Sequence, residues 1–105
     1  MSYLPRGVAQ QKELQRQVNH LAPWPRGVVK LLHTVDNDWH GDPAIFFWIT
    51  LSDEASDPAD LPETTRRITD SIMQQIDPVG KWDLIPYFNF RSQSEQAKLK
   101  EEVFG

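Results

Sequence analysis

The stretch from Ala44 to Leu51 (AIFFWITL) constrains the fold of this chain more than any other segment, because nearly all of its residues are apolar. Aromatic and β-branched residues favour a strand, and the run is far too short to cross a bilayer. A strand that is apolar on both faces is typical of the centre of a sheet that is covered above and below. We therefore predict a central strand in which Phe46 and Trp48 are buried.

The segments on either side predict two partners for this strand. Val28 to Val35 (VVKLLHTV) alternates as a strand exposed on one side. Asp36 to Pro43 (DNDWHGDP) is dense in turn-forming residues, so the first two strands are expected to form a hairpin. Leu84 to Phe90 (LIPYFNF) is predicted to be a third strand, and Pro86 places it at an edge because proline cannot donate a ladder hydrogen bond.

Apolar spacing also predicts the helices. A stripe with helical periodicity indicates a helix from about Val8 to about Leu21, and a second stripe indicates a helix from 61 to 77. The second helix is expected to begin at Asp60, whose carboxylate can cap free amides. Ser92 and Glu95 have capping-box spacing and open a short terminal helix.

The resulting element order is α-β-β-α-β-α within a single α+β domain that spans residues 1–105. The hairpin makes the first two strands antiparallel, and a helical crossover returns the third strand parallel to the second. We predict a two-layer sandwich with a three-stranded mixed sheet in the order 1-2-3. This topology resembles a ferredoxin-like fold that lacks its first strand, a resemblance that carries no function.

Composition excludes several classes of function. The chain has 105 residues, no cysteine and a formal net charge of −4, so disulfide frameworks, thiolate nucleophiles and cysteine metal sites are ruled out. The negative charge disfavours nucleic acid and anionic lipid as partners. No segment reads as a secretory signal or a membrane span, so we expect a cytoplasmic, bacterial-type protein with no membrane partner.

A cluster in the hairpin segment could bind a metal. Its opening resembles an EF-hand loop, with Gly41 at the sixth position, but Phe47 stands where a bidentate glutamate is required. The preferred interpretation is a tight turn in which carboxylates cap their own backbone, with no metal or other cofactor. In the alternative interpretation, a metal would be held by His33, Asp36, Asp38, His40 and Asp42.

Other residues suggest a contact surface. Tyr87 and Arg91 share the outward face of the third strand, and of Trp39 and Trp82 at least one indole is expected to be partly exposed. The acidic run from Asp53 to Glu63 could attract a basic partner. The predicted interaction residues are Trp39, Trp82, Tyr87, Arg91, Asp53, Glu54 and Asp57.

Two hypotheses about function follow. The first is a small cytoplasmic accessory or protein-interaction domain, such as an inhibitor or antitoxin-like partner, with no assembled catalytic site. Its partner would be another protein, or a second copy bound along the edge of the third strand. The alternative is a metal-dependent or nucleic-acid-acting enzyme that uses the loop from Asp36 to Asp42 together with His33.

Overall fold

Helices and strands follow one another along the chain in the order that the apolar spacing predicts. The computed structural model describes residues 4–21 and 23–104. The predicted first helix is divided into two, and a short helix that was not predicted precedes the third strand. The elements are α1 (Arg6–Ala9), α2 (Gln11–Asn19), β1 (Val28–Asn37), β2 (Pro43–Leu51), α3 (Leu61–Ile76), α4 (Pro78–Trp82), β3 (Ile85–Ser92) and α5 (Gln93–Phe104).

The sheet has the predicted topology. Its order is β1-β2-β3, with β1 antiparallel to β2 and β3 parallel to β2. The α+β class, the central position of β2 and the edge position of β3 are thus confirmed. The outer side of β3 has no strand partner in the described sheet, which is consistent with Pro86 in that strand.

One face of the sheet forms the hydrophobic core with α2 and α3. Each of these two helices presents an apolar stripe at intervals of three or four residues, and the odd-numbered residues of β2 point at those stripes. The buried core residues are Leu14, Val18, Leu21, Leu31, Ile45, Phe47, Ile49, Leu51, Ile68, Ile72, Ile76, Trp82 and Leu84.

The opposite face of the sheet corrects the expectation that β2 is covered on both sides. Trp48 is 42% exposed, Leu32 on β1 is 53% exposed, and Phe46 is only partly buried. The physical reason is topological. Both α2 and α3 pack on the same side of the sheet, and of the described helices α5 borders the other face at one end, where Gln96 lies beside Trp48 and Arg91. The rest of that face lacks a packed helical layer among the described residues.

The helix ends agree only in part with the predicted capping. Ser92 caps α5, since its Oγ accepts a hydrogen bond from the amide of Glu95 at 3.1 Å. Asp60 does precede α3, but its side chain makes no capping bond, so that detail of the prediction is wrong. Of the helices described, none is long and apolar enough to cross a membrane.

Candidate interaction surface

The uncovered side of the sheet, called the open face below, consists of the alternate residues of the three strands that point away from α2 and α3. Strand pairing arranges these residues in four rows, each running from β1 across β2 to β3. Strands lie about 4.8 Å apart and successive rows about 6.6 Å apart. The rows are Lys30, Thr50 and Arg91; Leu32, Trp48 and Asn89; Thr34, Phe46 and Tyr87; and Asp36, Ala44 and Ile85.

The two middle rows contain a group of ordered aromatic rings. The Phe46 ring is nearly parallel to that of Trp48, with centroids 6.3 Å apart, and to that of Tyr87, with centroids 5.2 Å apart. The indole Nε1 of Trp48 donates a hydrogen bond to Thr34 Oγ1 at 3.1 Å. This bond satisfies the polar atom of an exposed ring and fixes its orientation before any partner arrives.

A pocket of about 260 Å³ lies at the end of the open face that is next to α5. Trp48 and Leu32 provide its apolar surface, and Gln96 from α5 contributes to its wall. The residues that line it include two cations and no carboxylate, namely Lys30, Leu32, Trp48, Ile49, Thr50, Asn89, Arg91 and Gln96.

The other end of the open face is bounded by the hairpin between β1 and β2. Asp38 is buried there, and its Oδ1 accepts hydrogen bonds from the amides of His40 at 2.9 Å and Asp42 at 3.0 Å. Its Oδ2 accepts a hydrogen bond from the Tyr87 hydroxyl at 2.8 Å. Trp39, 73% exposed, packs against the Tyr87 ring with centroids 5.0 Å apart. Asp38 therefore ties the hairpin to β3 and positions Trp39 beside the aromatic rows.

The same hydrogen bonds set the charge state of Asp38. Burial alone would raise its pKa, but the bonds from the Tyr87 hydroxyl and from the amides of Asp42 and His40 outweigh burial, so the pKa lies below its ordinary value. The Tyr87 pKa is raised, mainly because its hydroxyl donates to that carboxylate. Asp38 is thus ionised and Tyr87 neutral over the whole neutral range.

We expect the hairpin to loosen in acid for this reason. The pKa of this carboxylate is lower in the folded state than its value of about 3.9 in the unfolded state, so its ionised form stabilises the folded protein above a pH of about 3.9. That stabilisation is lost as the pH falls through the pKa of the folded state. Tyr87→Phe removes one of the bonds, so the pKa of Asp38 should rise towards its ordinary value. NMR titration of the Asp38 carboxyl carbon in both proteins measures this shift.

Asp53 provides an internal control for that titration. Its pKa is lowered by hydrogen bonds from the hydroxyl and the amide of Ser94, and Tyr87 makes neither of them. The Asp53 titration should therefore be the same in the parent protein and in Tyr87→Phe. An unchanged Asp38 pKa in the variant would show that Tyr87 does not hold that carboxylate.

The five residues of the alternative metal site do not converge on one point. Asp36 accepts a hydrogen bond from the adjacent Asn37 amide at 2.7 Å, and both oxygens of Asp38 already have protein donors. His33 points to the core side of β1, opposite Phe47. Within residues 4–21 and 23–99, no three histidine, aspartate or glutamate side chains come close enough to hold a metal ion. The predicted tight turn is confirmed, with Gly41 at φ +85°.

His33 is also poorly placed to act as a general base. It is half-buried between β1 and α2, and burial lowers the pKa of its imidazole. Of the loop carboxylates that the enzyme hypothesis uses with His33, Asp38 is engaged by Tyr87. Asp36 and His33 point to opposite faces of β1.

The acidic run has a partly structural role. Asp53 accepts hydrogen bonds from the Ser94 amide at 3.1 Å and the Ser94 hydroxyl at 2.7 Å, which attaches the start of α5 to the loop after β2. Asp57 accepts a bond from the amide of Ala59 at 3.0 Å. Glu54 is exposed on this loop. None of these three residues belongs to a row of the open face.

The remaining predicted contact residues are divided between surface and core. Tyr87 and Arg91 both lie on the open face, although they point out of the sheet plane and not outward from its edge. Trp39 is the exposed indole of the predicted pair. Trp82 is 5% exposed, and its Nε1 donates to the carbonyl oxygen of Ile76 at 3.1 Å, so it is a core residue and not part of the contact surface.

Lys30, Leu32, Trp48 and Asn89 were not predicted as site residues. Leu32 gave the clearest signal in the sequence, because it lies between Lys30 and Thr34 on the side of β1 that should be polar. An aliphatic residue in that position indicates that the polar side of the strand contacts something other than water. Comparison of the chain with protein-family models, with curated proteins and with solved structures finds no match in any of the three.

Proposed function

We propose that this chain is a small cytoplasmic protein-interaction domain that binds a segment of another protein on its open face and carries out no chemistry of its own. The observation that supports this proposal is the uncovered apolar surface in the two middle rows, where Trp48 and Leu32 are exposed side by side. Such contiguous apolar surface typically marks a binding site in a folded domain.

The composition of the open face favours a protein partner. Tryptophan, tyrosine and arginine are the residues most enriched at protein-interaction hot spots, and Trp48, Tyr87 and Arg91 lie on adjacent rows. Leu32 and Ile85 add exposed aliphatic surface, which can contact a protein side chain but cannot stack on a nucleic-acid base. Single-stranded nucleic acids stack their bases on exposed aromatic rings. The rings of Phe46 and Tyr87 are stacked on each other, so they are less accessible to a base than an isolated exposed ring is.

The size of the open face favours a segment over a second copy of the chain. Three strands and four rows cover roughly 14 by 26 Å, or about 370 Å². A standard stable interface buries roughly 800 Å² on each partner. A face-to-face dimer through this area would be small, whereas a single segment held by Trp48 needs far less contact area.

Affinity capture with three versions of the domain as bait tests the proposal. The parent protein is compared with Trp48→Ala combined with Leu32→Ser, which removes the apolar centre of the open face, and with Asp57→Ser, which changes the acidic loop. We expect a protein that is captured by the parent and by Asp57→Ser but is lost with the double variant. Direct titration of that purified protein with each bait then confirms the difference in affinity.

Circular dichroism and melting of the double variant provide the control, since a folded variant is required for the comparison. A captured protein that is lost only with Asp57→Ser would move the contact to the acidic loop. A concentration-dependent dimer of the parent that dissociates in the double variant, detected by sedimentation, would replace the heterologous partner with a second copy of this chain.

A further inference from the structure

We infer that the partner segment is acidic, and that it places a large apolar side chain in the pocket beside Trp48 while its carboxylates lie against Lys30 and Arg91. This inference rests on the proposed function, because it specifies what the open face binds. It follows from the distribution of charge around the pocket and from the width of the row that contains the two cations.

The charge around the pocket is opposite to that of the chain as a whole. The protein carries a formal net charge of −4, yet the residues lining this pocket include Lys30 and Arg91 and no carboxylate. On the open face the carboxylate of Asp36 lies in the fourth row, at the far end from these cations. A segment bearing carboxylates would therefore meet complementary charge at the pocket, on a chain whose formal net charge is negative.

The geometry of the first row defines how such a segment would lie. Lys30 and Arg91 are on the two outer strands, each paired with Thr50 on β2, so their Cα atoms are about 10 Å apart, or two strand spacings. An extended segment crossing the strands advances about 3.3 Å per residue and alternates its side chains between two faces, so two carboxylates four residues apart share one face and lie about 13 Å apart. The flexible side chains of Lys30 and Arg91 can reach that spacing. The side chain midway between the carboxylates shares their face and points at the pocket beside Trp48.

The polar groups around the pocket suit a peptide backbone. Asn89 on β3 and Gln96 on α5 both line the pocket, and each side-chain amide has donor and acceptor atoms that can pair with a backbone amide and carbonyl. α5 itself begins at a fixed position, because Ser92 and Asp53 hold its first turn. The wall carrying Gln96 is thus part of the folded domain before a ligand binds.

A single-stranded nucleic acid is the alternative ligand, because it too combines negative charge with large apolar groups, namely its phosphates and its bases. Its binding would depend on neutralising several successive phosphates, and binding strength rises with the number of cations along the track. The open face supplies two cations, both in one row. An acidic peptide needs only two carboxylates at that row and gains the rest of its affinity from apolar contact, so it fits the observed surface better.

Selection from a displayed library of random twelve-residue peptides, with the parent protein as bait at physiological salt, provides the first test. We expect the recovered peptides to be enriched in aspartate and glutamate flanking a leucine, isoleucine, phenylalanine or tryptophan. The recovered peptides should be depleted in lysine and arginine. Parallel selection with Trp48→Ala should not recover them.

The strongest recovered peptide is then titrated against variants of the basic row. Lys30→Gln combined with Arg91→Gln should weaken binding by about 2- to 30-fold, the factor expected from losing two partly exposed ion pairs. Lys12→Gln removes a cation from exposed α2, on the other side of the sheet, and should leave the affinity unchanged. Raising the salt concentration should weaken the parent complex more than the complex of the double variant.

The outcomes separate this inference from the proposed function. Peptides that need Trp48 but show no acidic preference overturn the inference and leave the open face as a protein-binding surface. Failure to recover any Trp48-dependent peptide overturns the inference. If the domain instead binds a twenty-nucleotide oligothymidine by fluorescence anisotropy, and Lys30→Gln with Arg91→Gln abolishes that binding, both proposals give way to nucleic-acid recognition.

Discussion

Phe47→Ala is expected to destabilise the protein by about 3–5 kcal/mol, the usual cost of truncating a fully buried phenylalanine in a core. Phe47 has no exposed surface, lies on the central strand and packs against the Phe88 ring at a centroid distance of 5.1 Å. The loss includes both the transfer of a large side chain and a cavity that α2 and α3 cannot fill without moving. Chemical denaturation followed by circular dichroism measures the free energy of unfolding.

Trp48→Ala is the matched control, because Trp48 is the next residue on the same strand and points to the other face. It is expected to cost only about 1–2 kcal/mol, since much of its ring already contacts water and one hydrogen bond to Thr34 is lost. Equal losses for the two variants would mean that the open face is covered by another part of the protein.

This pair of residues also shows where prediction from sequence succeeded and where it failed. The run from Ala44 to Leu51 correctly indicated a central strand, because an apolar sequence of that length with turn formers before it has few other structures available. The same run was wrongly taken to mean cover on both faces. A two-layer arrangement was predicted as well, and two layers leave one face of a sheet uncovered. The topology, not the apolarity of the strand, decided the exposure of Trp48.

The candidate site was harder to predict than the fold because it depends on neighbours across the sheet. Tyr87 and Arg91 were recognised from alternation within one strand, but their row partners Phe46 and Thr50 are fixed by the parallel register of β2 and β3. These two strands are joined through α3 and α4 and not by a short turn, so no local pattern in the sequence fixes their register. The bond between Tyr87 and Asp38 joins residues 49 positions apart for the same reason.

The short helix α4 was missed for a local reason. Asp77 was expected near the end of α3, and it does adopt a left-handed conformation there, with φ 52°. Its side chain then accepts a hydrogen bond from the amide of Gly80 at 3.2 Å, which starts α4 within one residue of the end of α3. Proline and glycine after a helical stripe usually end helical structure, whereas here Pro78 and Gly80 lie in the first turn of a new short helix.

Trp82→Ala is expected to be the second strongly destabilising substitution, again by about 3–5 kcal/mol. The indole is almost fully buried where α4 meets the core, and its Nε1 satisfies the carbonyl oxygen of Ile76 near the end of α3. Removal of the ring therefore opens a cavity and leaves a backbone acceptor at a helix end without its partner. Thermal and chemical unfolding should both shift in the same direction.

Two further variants distinguish this structural role from a role in binding. Trp82→Phe retains most of the ring volume and loses the Nε1 bond, so it should cost about 1–2 kcal/mol and leave the affinity of the open face unchanged. Trp39→Ala removes the most exposed indole, which contacts the rings of Tyr87 and His40, and should change the free energy of unfolding by about 1 kcal/mol or less. If Trp82→Ala unfolds at the same denaturant concentration as the parent yet loses its partner, then Trp82 belongs to the contact surface and the core assignment is wrong.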